Sequence, residues 1–249
     1  SKVPFTFTAD SISTRANVSR YKNRVTIGDF YGERVIIDFP QEVQVTDTDH
    51  NYLATVPGGV EQLTIAISLV EQDTEASVQH VHTASLLANP SAALQANDDR
   101  WNGYLKKVIR DDMPAEYNRV AAKSIVTLLS NWRAKRGALY HDGIVPSHAV
   151  GYFVGCWAWD CWRFSAGMAS FFPELAKDNI RVMFDYQQPD GMIIDCIYPD
   201  ASENNYRDSK PPLAAWAVNE IYEYTQDLAF VKEMYPKLLK YHKWWYEKR

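Results

Sequence analysis

The chain has 249 residues, of which 46% are hydrophobic and 23% charged, with a formal net charge of -5. That length holds one large domain or two ordinary ones of globular composition. The acidic balance offers no basic surplus to a nucleic-acid backbone, and no apolar run approaches the roughly 18–20 residues of a membrane span. The first residues, SKVPFTFTAD, lack the basic and apolar pattern of a signal peptide, which leaves the compartment open.

Residues 1–72 contain no Trp and read as strands. VPFTFT, RVTIG, RVIIDF, YLATV and QLTIAISLV are β-branched or alternating runs, and IGDFYGE and TVPGGVE supply turn signals between them. This is antiparallel β architecture of sandwich type, expected to be the end of a larger sandwich. Residues 73–112 form a helical connector: EASVQHVHTASLLAN reads as one helix, Asn89-Pro90 breaks it, and SAALQANDDRWNGYLKKVI reads as another.

From Asp112 onward the period is helical. Asp112 is the expected N-cap, with Pro114 in the first turn. Val120, Ile125, Leu128, Leu129 and Trp132 recur at helical spacing, and Gly137 is a stop signal. Further helices are expected at 160–170, 173–188, 211–225 and 227–247. The loops between them hold Pro189-Asp190-Gly191 and YPDASENNYRDSKPP, with Ser209 as N-cap and Pro211 and Pro212 in the first turn of the next helix. His80 and His82 are two apart, which is not a helical metal pair, and HDG at 141–143 reads as a turn.

GCWAWDCWRF, residues 155–164, leads into the helix expected at 160–170. Trp159 and Trp162 are three apart and share a helical face, which fits a packed core. Asp160 resists that reading, because a buried, unpaired carboxylate costs several kcal/mol. Arg163 is its expected helical partner; the other reading is a sugar site. Indole faces cover the apolar faces of pyranose rings, and a carboxylate accepts from adjacent hydroxyls through charge-assisted bonds. Cys156, Cys161 and Cys196 lack the spacing of a redox or zinc motif and read as small buried thiols. The loop DASENNYRDSKPP gathers Glu203, Asn204, Asn205, Arg207, Asp208, Ser209 and Lys210 before a helix, where binding residues commonly sit.

GYFVGCWAWDCWRFSAGMA, QQPDGMIIDCIYPD and NNYRDSKPPLAAWAV, in this order and at these spacings, resemble glycoside hydrolase family 63, the inverting α-glucosidases. The resemblance is strong over about 115–249. It implies an α+β chain in three parts: the end of a β-sandwich at 1–72, a helical linker at 73–112, and at 113–249 the first helices of an incomplete (α/α)6 barrel. It implies hydrolysis of α-glucosidic bonds in short oligosaccharides with release of β-glucose. The aspartate of WAWD in this family lines the sugar subsite, so Trp159 and Asp160 are expected to bind substrate, with Trp157, Trp162, Asp195 and Lys210 beside them. The general acid Asp and general base Glu are expected beyond Arg249, so no catalytic or metal-ligating residue is assigned in this chain. No cofactor is required for the chemistry. A structural calcium in the full-length protein, a periplasmic location and the rest of the barrel as partner are implied by the same resemblance. The alternatives are a non-catalytic carbohydrate-binding protein and a structural scaffold derived from such an enzyme.

Overall fold

Alternating runs in the first 70 residues become strands: β1 (Phe5–Ala9), β2 (Asn17–Tyr21), β3 (Arg24–Gly28), β4 (Arg34–Asp38), β5 (Gln44–Thr48), β6 (Asn51–Val56) and β7 (Ala66–Val70). The computed structural model describes residues 5–9, 17–21, 23–28, 34–41, 44–48, 51–56, 62–70 and 82–248. The strands form two antiparallel sheets, β1-β6-β5 and β2-β3-β4-β7. In the second, Val25, Ile36, Ile37 and Val70 are buried, as is Phe39 just past β4. Arg24 and Asp38 stand opposite each other in register. The guanidinium reaches both Asp38 oxygens, at 2.7 and 3.0 Å, so the buried carboxylate is paired bidentately. Strands β2 and β5 have no clear sequence signal. Most of the two turn segments between the strands lies outside the described residues, as do residues 75–81 of the first connector helix.

The chain divides into two units, Ser1–Asp99 and Arg100–Arg249. Residues 82–88 are helical. Asn89 ends that run and starts the next, α1 (Pro90–Val108): its Oδ1 accepts from the Ala92 N–H at 3.2 Å, and proline takes the first helical position. Within the second unit Trp101, Tyr104, Leu105 and Val108 of α1 pack on the helical core.

Five helices complete the chain: α2 (Ala115–Ser130), α3 (Ala158–Met168), α4 (Pro173–Phe184), α5 (Ala214–Thr225) and α6 (Leu228–Glu247). The expected cap of α2 is not used. Asp112 pairs instead with Arg110, at 2.9 Å, and Pro114 occupies the cap position of α2 without a side-chain bond. Helix α2 also stops at Ser130, so only Ile125 and Leu129 of the expected stripe are buried, and Val120 is 64% exposed. Trp132 enters a short strand instead, β8 (Trp132–Arg133), paired with β9 (Gly143–Ile144). Its Nε1 donates to Asp142, whose other oxygen accepts the Lys135 N–H, and this rewards leaving the helix. Gly137 lies beyond the helix in the left-handed region, φ +52, where a Cβ would collide with the Pro199 carbonyl oxygen.

Helix α4 is the most enclosed of the helices, with Leu175, Ala176, Ile180, Val182, Met183 and Phe184 buried. Its buried Lys177 is held between Glu174 at 2.9 Å and Asp227 at 2.8 Å. Asp227 also caps α6 by accepting from the Phe230 N–H. Buried Asn179 accepts from the Ile144 N–H and donates to Ser165 Oγ and the Cys161 carbonyl. One side chain thus ties β9, α3 and α4 together. At the end of the 189–191 turn, Gly191 has φ +109 and sits where a Cβ would strike the Lys240 carbonyl of α6.

Candidate functional site

Three stretches that are far apart in sequence meet at the start of α3. Cys156 and Trp157 form strand β10, which pairs antiparallel with β11 (Cys196–Ile197). The Asp195 carbonyl accepts from the Ala158 N–H at 3.0 Å, satisfying one of the unpaired donors at the helix N-terminus. Cys196 bridges onward to Asn205, and Asn205 Nδ2 donates to Asp195 Oδ2 at 3.1 Å. Lys210 Nζ stands 3.2 Å from Asp195 Oδ1 and 5.9 Å from the Trp157 ring centroid, an ion pair and a cation–π contact at once. The Lys210 contact lacks hydrogen-bond alignment, so Asp195 Oδ1, on a residue only 2% exposed, has no donor.

The backbone beneath Lys210 is fixed from α6. Tyr241 Oη donates to the Lys210 carbonyl at 2.9 Å and shares a hydrogen bond with buried Ser209 at 3.0 Å. Ser209 therefore bonds a tyrosine and does not cap α5, whose cap position is Leu213. Trp157 is anchored on its other side: its Nε1 donates to the Tyr152 carbonyl at 3.2 Å, and Tyr198 Oη donates to the same oxygen at 2.6 Å.

Asp160 lies in the first turn of α3, half-buried, where the helix N-terminus favours an anion. Burial pushes its carboxyl above the usual range; its own backbone N–H, Arg163 and Lys210 oppose that shift, and Asp195 adds to it. Among the described residues it forms no ion pair within 4 Å. The expected partner, Arg163, is turned away and lies 5.4 Å above the Trp159 ring.

Trp157, Asp160, Asp195 and Lys210 thus share one neighbourhood, and Trp159 flanks it half-buried under Arg163. Trp162 does not belong there. It is 0% exposed and packs at 5.8 Å on Phe184 in the core. Positions three apart on a helix differ by about 60° around its axis, so one indole stays at the rim while the other turns inward. An enclosed indole has no face to offer a ligand, which corrects the expectation for Trp162. Burial raises the thiols of Cys161 and Cys196, which keeps them protonated and poorly nucleophilic. No group of three or more His, Cys, Asp and Glu among the described residues is arranged to hold a metal ion. Asn205 falls within the polar loop singled out in the sequence. Tyr241 and Tyr198 are missed, because the first reads as an ordinary aromatic of a helix and the second stands at the start of a loop read for its polar residues.

This arrangement of indole, carboxylates and one ammonium suits polyhydroxylated ligands. Residues 154–249 match the family model described as the mannosylglycerate hydrolase MGH1-like glycoside hydrolase domain. This stretch is similar to the glycoside hydrolase domain which that model describes. Mannosylglycerate hydrolase MGH2 of Selaginella moellendorffii is 28% identical over 121 residues, 41% of this chain and 25% of that protein. The mannosylglycerate hydrolase of one Thermus thermophilus strain is 29% identical over 139 residues, 47% of this chain and 32% of that protein. The chain therefore spans a quarter to a third of the length of these relatives. Among solved structures, a GH63 mannosylglycerate hydrolase from another Thermus thermophilus strain, in complex with Tris, aligns with 26% identity and a TM-score of 0.44, over 52% of this chain and 33% of its own. A candidate kojibiose phosphorylase from the human microbiome aligns with 10% identity and a TM-score of 0.62, over 96% of this chain and 38% of its own, which is a likeness of fold. Trp157, Trp159, Asp160, Asp195 and Lys210 all lie within the matched range 154–249.

Proposed function

We propose that the protein hydrolyses α-glucosidic bonds of short oligosaccharides with inversion, and that this chain supplies part of the subsite for the cleaved ring. One observation carries the reading: Asp160 and Asp195 meet at the start of α3, beside Trp157 and Lys210, with hydrogen-bonding capacity left over. Asp160 would accept from ring hydroxyls, and Trp157 and Trp159 would cover apolar C–H faces. The catalytic pair is the aspartate and glutamate that the family resemblance expects beyond Arg249. In such a pair the acid protonates the leaving oxygen as the bond to C1 breaks. The base takes a proton from a water that attacks C1 from the opposite face, the carboxyls standing about 6.5–9.5 Å apart. Asp160 contributes by fixing the ring for that in-line attack. A β-sandwich in front, a completed (α/α)6 barrel behind, a structural calcium in an acidic loop after Arg249 and a periplasmic location belong to the same proposal.

A second reading has support of its own. The family model and both relatives carry the name mannosylglycerate hydrolase, so mannosylglycerate is the competing substrate. Proton NMR of the full-length protein with α-glucosyl disaccharides and, separately, mannosylglycerate distinguishes the two. β-Glucose as the first anomer to appear supports the proposal, with Asp160→Asn lowering kcat/KM at least about 100-fold. α-Glucose appearing first overturns inversion, and cleavage of mannosylglycerate alone establishes the second reading. Broadened sugar signals without cleavage would make the protein a carbohydrate-binding scaffold.

A further inference from the structure

Asp195, Lys210, Trp157 and Tyr152 form a row that runs from a buried carboxylate to an exposed ring. Asp195 is enclosed, Lys210 and Trp157 are half-exposed, and Tyr152 is 62% exposed. Lys210 links the first and third members, and the Tyr152 ring lies 6.5 Å from the Trp157 ring, edge to face. Tyr152 sits in the 3-10 turn Gly151–Val154, next to Phe153, whose ring is 4.4 Å away. Its backbone is held firmly, because two different side chains donate to its carbonyl oxygen. Its side chain is not committed: the hydroxyl makes no hydrogen bond among the described residues. A large aromatic side chain on a pinned backbone, edge to face with Trp157 at the open end of this row, is placed to contact a ligand that reaches outward past Trp157.

We propose that Tyr152 is a specificity-determining residue that stacks on the leaving-group sugar, one ring outward from the subsite of Asp160 and Asp195. This rests on the glycosidase reading. A sugar in that position offers an apolar face to the ring and hydroxyls to the free phenol. A substrate whose leaving group is a single atom gains nothing from it.

The test compares an α-glucosyl disaccharide with α-glucosyl fluoride on the full-length protein. Tyr152→Ala keeps the backbone carbonyl that Trp157 and Tyr198 use, so the turn is retained. It should lower kcat/KM on the disaccharide about tenfold, mainly through KM, while the fluoride changes less than about twofold. Tyr152→Phe should recover most of the loss. An equal loss on both substrates, or no loss on the disaccharide, overturns the proposal. A wild-type protein inactive on both compounds sinks the α-glucosidase reading and this proposal with it. That result is separate from an active wild type whose variant fails to discriminate.

Discussion

On the inner face of α3, Cys161, Trp162 and Ser165 are wholly buried, while on the outer face Trp159 and Asp160 are half-covered and Arg163 is exposed. Both faces mix indoles with polar groups. The inner face satisfies nearly all of its polar atoms internally, through Asn179 bonded to the Cys161 carbonyl and Ser165 Oγ. The outer face holds Asp160 without an ion pair, and adjacent Asp195 keeps an oxygen without a donor. A single 11-residue helix thus divides a largely satisfied face from one with hydrogen-bonding capacity to spare, by orientation alone. On the function proposed above, the second face is the one that meets a ligand.

Removing Trp162 should break this contrast from the inside with the largest effect. Trp162→Ala should lower unfolding stability by about 3–5 kcal/mol in denaturant melts, the range for a large aromatic cut from a closed core. Trp162→Phe should cost much less, because Trp162 Nε1 is itself buried without an acceptor and the substitution deletes that unpaired donor. A Trp162→Ala protein within about 1 kcal/mol of wild type would mean that this indole is not core.

Next in size is Lys210. Lys210→Met removes the ion-pair partner of the enclosed Asp195 carboxylate, and should destabilise by about 1–3 kcal/mol. Adding Asp195→Asn should recover part of that loss, which a double-mutant cycle measures as coupling. Purely additive effects would mean that the 3.2 Å contact carries no energy.

The strands β1, β3, β4, β6 and β7 and the helices α3 to α6 were legible because period 2 and period 3.6 survive in their sequences. The convergence at Asp160 was not. It depends on β10 and β11, two residues each, and on a bridge from Cys196 to Asn205; pairs that short leave no periodic trace. The family resemblance named Asp195 and Lys210, but nothing in their local sequence says that they touch. Caps failed where tertiary partners displaced local ones, as with Ser209 and Tyr241. Trp132 left its helical stripe because Asp142 offered its indole N–H an acceptor ten residues on.

Asp160→Asn should have the smallest effect on stability, and of opposite sign. Burial raises the Asp160 carboxyl from its ordinary 3.8, so the folded protein prefers the protonated form more than the unfolded chain does. The charged form is therefore a cost of folding that is fully present above the folded pKa. It declines as pH falls and is gone below 3.8, where both states are protonated. At pH 7 the Asn variant should melt slightly above wild type, and the gap should close as the pH approaches about 4. Thermal melts of the two proteins across that range test this directly. A variant melting below wild type at pH 7 would mean that the backbone N–H, Arg163 and Lys210 together hold the carboxylate more strongly than burial opposes it. The expected outcome, a steadier protein that has lost turnover, is the behaviour of a carboxylate retained for a ligand at the expense of the fold.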